Sequence, residues 1–295
     1  MDKFLQDLKY GIRMLAKSPG FTAIAILTLA LGIGANTAIF SVVNAELLRP
    51  LPFRDASRLV SVASSNSRTH STAGSMSYPD FLDLRAQNQV FENMAAYTDG
   101  NFTLTGIDQP AHIVGSSVSA NLFNLLGVAP ELGRTFLPDE DQPHHHFVIL
   151  SHELWTSRFA GDPQVIGRSI LLDKSAYTVV GVMPSSFRYP LQRQTSTLWT
   201  TMSPLLETPD GTPSMADQRG AHFLRSIARL KPGVTVAQAQ AGLDVITASL
   251  AKQYPDTDKY WGATVVSEQD RMTRTIRPAL FVMMIAVGFV LLIAC

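Results

Sequence analysis

Two long apolar runs bracket a stretch of mixed pattern. Phe21 to Val43 reads FTAIAILTLALGIGANTAIFSVV, 23 residues with Asn36 as the one strongly polar member. As a helix it would reach about 34 Å, enough for a hydrocarbon core of about 30 Å. Pro278 to Cys295, PALFVMMIAVGFVLLIAC, holds 18 residues and would reach only about 27 Å. A spanning helix does not end inside a bilayer with its last carbonyls unpaired. The second run therefore predicts that the sequence is a fragment ending within a second membrane segment. No Asp, Glu, Lys or Arg lies between Lys17 and Glu46, or beyond Arg277. A cleaved signal peptide is the alternative for the first run, because Val43-Asn44-Ala45 resembles a cleavage site. Against it, such h-regions are usually about 7–15 residues. A buried soluble helix is the alternative for the second run.

Ahead of the first run, Leu5, Leu8, Ile12 and Leu15 recur at helical spacing among Lys9, Arg13 and Lys17. That pattern predicts an amphipathic helix in the membrane interface, with Ser18-Pro19-Gly20 breaking it from the span. Gly32-Ile33-Gly34 sits in the middle of an apolar helix and not between strand and helix, so it is no phosphate loop. Ala30, Gly34 and Ala38 fall four apart instead. Such a face of small residues lets another membrane helix approach closely.

Residues 46–277 carry shorter, mixed periods. Arg49-Pro50-Leu51-Pro52 stiffens the exit from the first span. Strands are predicted at Leu59–Ala63, Ala95–Thr105, Ile113–Val118, Phe147–Leu150 and Phe223–Leu230. Ile170–Leu172 and Tyr177–Met183 read as a hairpin turning at Asp173-Lys174-Ser175. Ser77-Tyr78-Pro79-Asp80 starts a helix with Phe81, Leu84 and Phe91 on its buried side. Ser119–Leu126 is a short helix stopped by Gly127, and Leu154, Trp155 and Phe159 suit another. Thr235 and Gln238 form a capping box ahead of a stripe of Ala239, Leu243, Ile246 and Leu250, with Pro255 just past the end. Ser203 to Pro213 reads as an irregular loop. Strands mixed with helices predict an α+β fold and not a pure sandwich.

Composition sharpens this picture. Lys plus Arg and Asp plus Glu each number 24, so the formal net charge is zero, and a nucleic-acid binder would carry a basic excess. Charged residues make up 16% of the chain, below the roughly 25% of soluble domains. Cys295 is the one cysteine, which excludes a disulfide framework and a Cys-based zinc site. Lys3, Lys9, Arg13 and Lys17 before the first span weigh slightly against Arg49, Arg54 and Arg58 after it. This bias favours an N-terminus inside and residues 46–277 outside.

Few residues invite chemistry. His144, His145 and His146 follow Asp139-Glu140-Asp141, but consecutive side chains diverge where a metal needs converging ligands. They read as a solvated polar tip. Ser151-His152 lacks the converging partners of a triad, and no Gly-x-Ser-x-Gly elbow occurs, so Ser151 reads as a helix cap. Trp155, Trp199 and Trp261 read as packing residues. No Walker phosphate loop is present.

The run DLKYGIRMLAKSPGFTAIAILTLALGIGANTAIFSVVNAELLRPLPF resembles the N-terminus of MacB-like ABC-transporter permeases, most closely their duplicated-permease branch. SYPDFLDLR, VSANLFNLLGVAPELGRTF, VILSHELWTSRFAGDP, YTVVGVMP, ARLKPGVTVAQAQAGLD and the final LLIAC continue the resemblance. It implies a cytoplasmic amphipathic helix over 1–20, a transmembrane helix over 21–45, a periplasmic core domain over 46–277 and a second, truncated transmembrane helix over 278–295. Within the core domain it implies a porter-like lobe of βαβ units at about 59–127 and 220–270, and an inserted β-rich lobe at about 128–219. It further implies an FtsX-like membrane domain in the bacterial inner membrane, no cofactor and no catalytic residue. Its partners would be the lipid bilayer, a separate ABC ATPase, a second copy or duplicated half, and in some assemblies a periplasmic adaptor. Membrane-helix motion would pass to the exterior domain, with helices sliding on Ala30, Gly34 and Ala38. Two other readings fit the layout: a membrane-anchored sensory receptor and a secreted enzyme freed by signal cleavage.

Overall fold

The computed structural model describes residues 2–43, 51–107, 109–191, 196–208, 212–274 and 276–294. The predicted exit at Arg49-Pro50, the last residue Cys295 and the centre of the 203–213 loop lie outside them. The chain divides into two compact units, residues 1–50 with 273–295 and residues 51–272.

The first unit opens with α1 (Asp2–Lys17) and α2 (Pro19–Val43). Ser18 separates them, and Pro19 sits in the first turn of α2, where its missing N–H costs nothing. Thr22, in the first turn of α2, donates to the Leu15 carbonyl of α1 at 2.6 Å, and the polar side chains farther along α2 are satisfied by its own backbone. Thr28, Thr37 and Ser41 each donate to the carbonyl four residues earlier at 2.8 Å, and the Asn36 amide donates to Gly32 at 3.0 Å. A helix surrounded by lipid must meet this condition. Among the described residues one stretch, Pro19–Ala38, is long and apolar enough to cross a membrane.

The second unit follows with β1 (Leu59–Asn66), β2 (Ser71–Gly74) and α3 (Tyr78–Gln87). The Ser77 hydroxyl caps α3 by accepting from the Asp80 amide at 3.2 Å, and Phe81 and Leu84 are buried as expected. Phe91 is buried too, but not on that helix. Asn88 is extended and its side chain accepts from the Phe91 amide at 2.9 Å, which ends α3 and starts β3 (Phe91–Thr105). β4 (Ala111–Val118), α4 (Leu122–Leu126) and β5 (Leu132–Gly133) come next. Gly127 stops α4 in the left-handed region at φ 72°, where a Cβ is costly.

β6 (Phe147–Ser151), α5 (His152–Phe159), β7 (Ser169–Leu172) and β8 (Ser175–Met183) continue the chain. The hairpin turns where expected, with Asp173 and Lys174 both at positive φ, 50° and 71°, the signature of the turn that matches strand twist. β9 (Leu198–Thr200), which the sequence pattern did not predict, precedes β10 (Arg225–Leu230). The capping box then forms at α6 (Val236–Gln253): the Thr235 hydroxyl accepts from the Gln238 amide at 3.2 Å and the Gln238 side chain accepts back at 2.8 Å. α7 (Pro255–Asp258), β11 (Trp261–Ser267) and α8 (Glu268–Thr273) lead to α9 (Arg277–Ala294) of the first unit. β11, like β2, β5 and β9, is a strand that the pattern left unassigned. The apolar stretch described in α9, Arg277–Phe289, is shorter than that of α2.

Among the described residues all eleven strands belong to one sheet, in the order β11-β1-β10-β3-β4-β9-β6-β8-β5, with β2 beside β1 and β7 beside β3 and β8. This is the mixed α/β fold that the patterning implies. The strands from 59–127 and 220–270 meet those from 128–219 where β4 and β9 pair in parallel, Gly115 to Leu198 through Ser117 to Thr200. Hydroxyls stitch that junction, Ser116 to Ser196 at 2.7 Å and Ser117 to Thr200 at 2.9 Å. A Cβ on Gly115 would stand 2.6 Å from Leu198, so only glycine permits this approach. One apolar core crosses the junction. It packs Tyr97 and Phe123 with Tyr189 and Trp199, and the Trp199 indole donates to the Tyr189 carbonyl at 3.0 Å. A second core lies under α3 and α6, and a third surrounds β6, β7 and β8.

Candidate functional site

The chain enters the second unit before β1 and leaves it after β11. The two strands are antiparallel neighbours, paired from Val60–Ser267 to Asn66–Trp261. Entry and exit therefore meet the sheet at the same end of one ladder, which spans about 23 Å at ~3.3 Å per residue.

The incoming segment is held tightly. Phe53 packs edge-on to Phe187 and Tyr189 at 6.4 and 6.1 Å, and the Arg54 amide donates to the Leu126 carbonyl at 3.1 Å. Arg229 on β10, 1% exposed, donates through Nη1 to the Asp55 carbonyl at 3.1 Å and through Nη2 to the Leu125 carbonyl. Burial, reinforced by Arg54 and Arg58, lowers its proton affinity below that of an ordinary arginine. A cation in that position ties three elements together, adding a second donor to the Asp55 carbonyl, which also accepts from the Arg58 amide at 2.9 Å, and capping the Leu125 carbonyl. The outgoing segment has its own anchor. Glu268, 1% exposed, receives a two-pronged bond from Arg271 at 2.6 and 2.9 Å. Burial opposes the charge on Arg271, yet the Glu268 bond and charge outweigh it and hold the guanidinium more firmly protonated than usual.

β11 is an edge strand, and α6 covers it. The Gln240 amide donates to the Ala263 carbonyl and accepts from the Val265 amide, both at 2.8 Å. One side chain thus imitates a neighbouring strand on an edge that would otherwise invite pairing. The opposite end of the ladder is open. Arg68 lies over the Tyr260 ring at 4.2 Å and Lys259 at 5.4 Å. A hydrogen bond from Arg68, with the Lys259 charge, lowers the Tyr260 phenol below its usual range. An open cleft of about 480 Å³ runs beside Ser67, His70, Tyr260 and Trp261.

The residues singled out in the sequence distribute as follows. Ala30, Gly34 and Ala38 are exposed on α2, while Gly32 is buried and Asn36 half-buried. A Cβ on Gly34 would meet nothing within 4 Å. His144 and His145 are exposed, as a solvated tip would be, and His146 is half-buried. The His146 ring bonds Glu207 at 2.7 Å and stacks on Tyr177 at 4.8 Å, while the His145 amide donates to Ser203 at 3.0 Å. Glu140 takes both prongs of Arg134, and Asp141 accepts from the amides of Ala120 and Met202 at 2.7 and 3.2 Å. The cluster faces water on one side and joins loops on the other. Among the described residues no three His, Cys, Asp or Glu side chains gather as metal ligands would. Ser151 caps α5, accepting from the Leu154 amide at 3.1 Å, and His152 bonds Glu131 at 2.6 Å. Trp199 is wholly buried, whereas Trp155 and Trp261 are partly so; Trp261 stacks on His222 at 3.8 Å. Arg229, Glu268 and Gln240 were not anticipated. The one available signal was an arginine on the inward register of a strand otherwise read as apolar.

The family comparison matches residues 22–246 to the MacB-like periplasmic core domain. None of the curated proteins matches the sequence. Among solved structures, the fold is similar to the periplasmic region of MacB from Actinobacillus actinomycetemcomitans, with a TM-score of 0.53 and 14% identity over 75% of this chain and 94% of that one. It is also similar to the extracellular domain of the noncanonic ABC-type transporter YknZ from Gram-positive bacteria, with a TM-score of 0.50 and 12% identity over 70% of this chain and 99% of that one. The match over residues 22–246 takes in α2 and most of the sheet unit, and the chain belongs to the MacB-like periplasmic core domain family.

Proposed function

We propose that the chain is a permease subunit of a MacB-like ABC transporter. Its α2 spans the inner membrane with the N-terminus in the cytoplasm, α9 begins a second span, and residues 46–277 stand in the periplasm or outside the cell. A separate ATPase supplies the energy, and a second copy or duplicated half completes the permease. The chain itself contributes motion and binding, not bond chemistry. The observation that carries this reading is the ladder of β1 and β11, which sets the entry to the sheet unit and the exit from it side by side, next to the buried charged residues Arg229 and Glu268. A displacement that reaches either segment then moves a sheet. Handling of substrate on the outer side, with or without an adaptor, follows from such a lever. The lever needs an element with two packings that ATP binding biases.

Small residues on α2 are the proposed place for that exchange. Ala30, Gly34 and Ala38 face away from the chain's own packing and leave room for a further helix. Gly34→Leu in the full-length permease, expressed with its ATPase, tests this. Because the position is open within the chain, the variant should fold normally. A fall in ATP-dependent export of tenfold or more then reports a helix from outside it, and unchanged export refutes the assignment. Co-purification separates the whole reading from that of a sensory receptor: a permease retains an ABC ATPase in mild detergent, and a receptor does not.

A further inference from the structure

Arg219 lies on the segment that returns from the 128–219 strands to β10, and three carboxylates surround it. Its guanidinium reaches Asp80 at 2.5 Å, Asp83 at 2.6 Å and Asp258 at 3.4 Å, and stacks over the Tyr254 ring at 3.8 Å. One positive charge cannot balance three negative ones in so dry a place. Asp83 is the most exposed of the three and Asp258 the least, at 29% and 5% of the side chain. Among the described residues Asp258 Oδ1 has no hydrogen-bond partner. Asp258 lines a small space of about 20 Å³ together with Asp80, Met76, Leu84, Leu250 and Trp261. An ionised oxygen buried without a partner is costly, and a protonated one far less so.

The geometry points to Asp80 and Asp258 as a proton-sharing pair that, with Arg219, forms a pH-dependent latch tying the return segment to α3 and α7. With the proton in place, one carboxyl donates to the other, Asp80 and Asp83 hold Arg219, and the charges nearly cancel. Without it, two carboxylates repel at the buried end and the grip on Arg219 slackens. The neighbours agree with this assignment. Burial is the largest influence on Asp258 and raises its proton affinity, and Asp80 adds to the rise. The Thr257 hydroxyl and Arg219 oppose it without overturning it. α3 contributes Asp80 and Asp83. The return segment contributes Arg219, with the exposed Asp217 before it and His222, stacked on Trp261, after it. α7 contributes the exposed Asp256 and the Thr257 hydroxyl beside Asp258 itself. β1, α6 and β11 present the uncharged Ser64, Thr247 and Trp261 to the cavity. The latch joins the start of β10 to the element just before β11, so it bears on the ladder that leads to the outgoing segment. It stands on this geometry whether or not the chain works as a permease.

The sign of the pH effect is definite. A carboxyl that binds its proton more tightly in the native state stabilises the fold most below the ordinary carboxylate range. That contribution disappears as pH rises through the native value. Asp258→Asn mimics the protonated form at every pH. Thermal unfolding of the whole chain in detergent should show the two proteins alike near pH 4 and the variant ahead at pH 7.5. The gap should be about 2–4 °C for each tenfold by which the site outbinds a free carboxyl. In parallel, exchange of backbone hydrogens in 212–224, corrected for intrinsic rates, should accelerate with pH in the wild type and not in the variant. A gap that does not change with pH, or exchange that accelerates equally in both, overturns the latch. If Asp258→Asn does not fold, infrared spectra of the wild type decide. The protonated-carboxyl band should persist above pH 5 and vanish in Asp80→Asn, and its absence in the wild type refutes the shared proton.

Discussion

The two ends of the β1–β11 ladder could hardly differ more. At the end where the chain enters β1 and leaves β11, charged side chains are buried and paired: Arg229 bonds backbone carbonyls through both Nη atoms, and Glu268 grips Arg271. At the other end Arg68 and Lys259 rest on the open face of Tyr260 beside a polar cleft. A buried charge with its partners fixed is costly to disturb, whereas exposed cations over a ring are worth little. The contrast suggests a division of labour, with stiffness where force would enter and an adaptable surface where it would be delivered.

Three substitutions would break or sharpen that contrast. Arg229→Ala should have the largest effect, because it leaves the Leu125 carbonyl without its charged donor, takes one of two donors from the Asp55 carbonyl and opens a cavity at the clamp. We expect a loss of about 3 kcal/mol, read from denaturant unfolding of the whole chain in detergent. Gln240→Ala lies between the extremes. It removes two bonds from the β11 edge, should cost about 1–2 kcal/mol, and should let concentrated protein associate through that edge, as light scattering would show. Arg68→Ala at the open end should change stability by less than about 0.5 kcal/mol. A loss at Arg68 comparable to that at Arg229 would erase the distinction.

Local signals made much of this fold legible. The Thr235–Gln238 box, the Ser77 and Ser151 caps and the Asp173-Lys174 turn depend on near neighbours, and each appears where its residues predicted. What the sequence hid depends on partners far along the chain. Phe91 continues the helical spacing of Phe81 and Leu84, but Asn88 bonds its amide and turns the chain into β3. β11, WGATVVS, holds too short an alternation to be assigned, and its pairing with β1 and its glutamine cover come from elsewhere. β9 is three residues long, too short for any period to show. The histidine cluster looked free only because its partners, Ser203 and Glu207, lie about 60 positions away. Of the candidate site, the small-residue face of α2 was visible in the sequence, and the clamp was not.

The stitched junction of β4 with β9 has a mechanical consequence. Segments joined by flexible linkers can swing independently, but here any rotation of the 128–219 strands must bend a continuous hydrogen-bonded surface and shear the aromatic core that crosses it. Such a body stores deformation like a leaf spring: it twists as a whole, and whatever moves one margin is felt at the other.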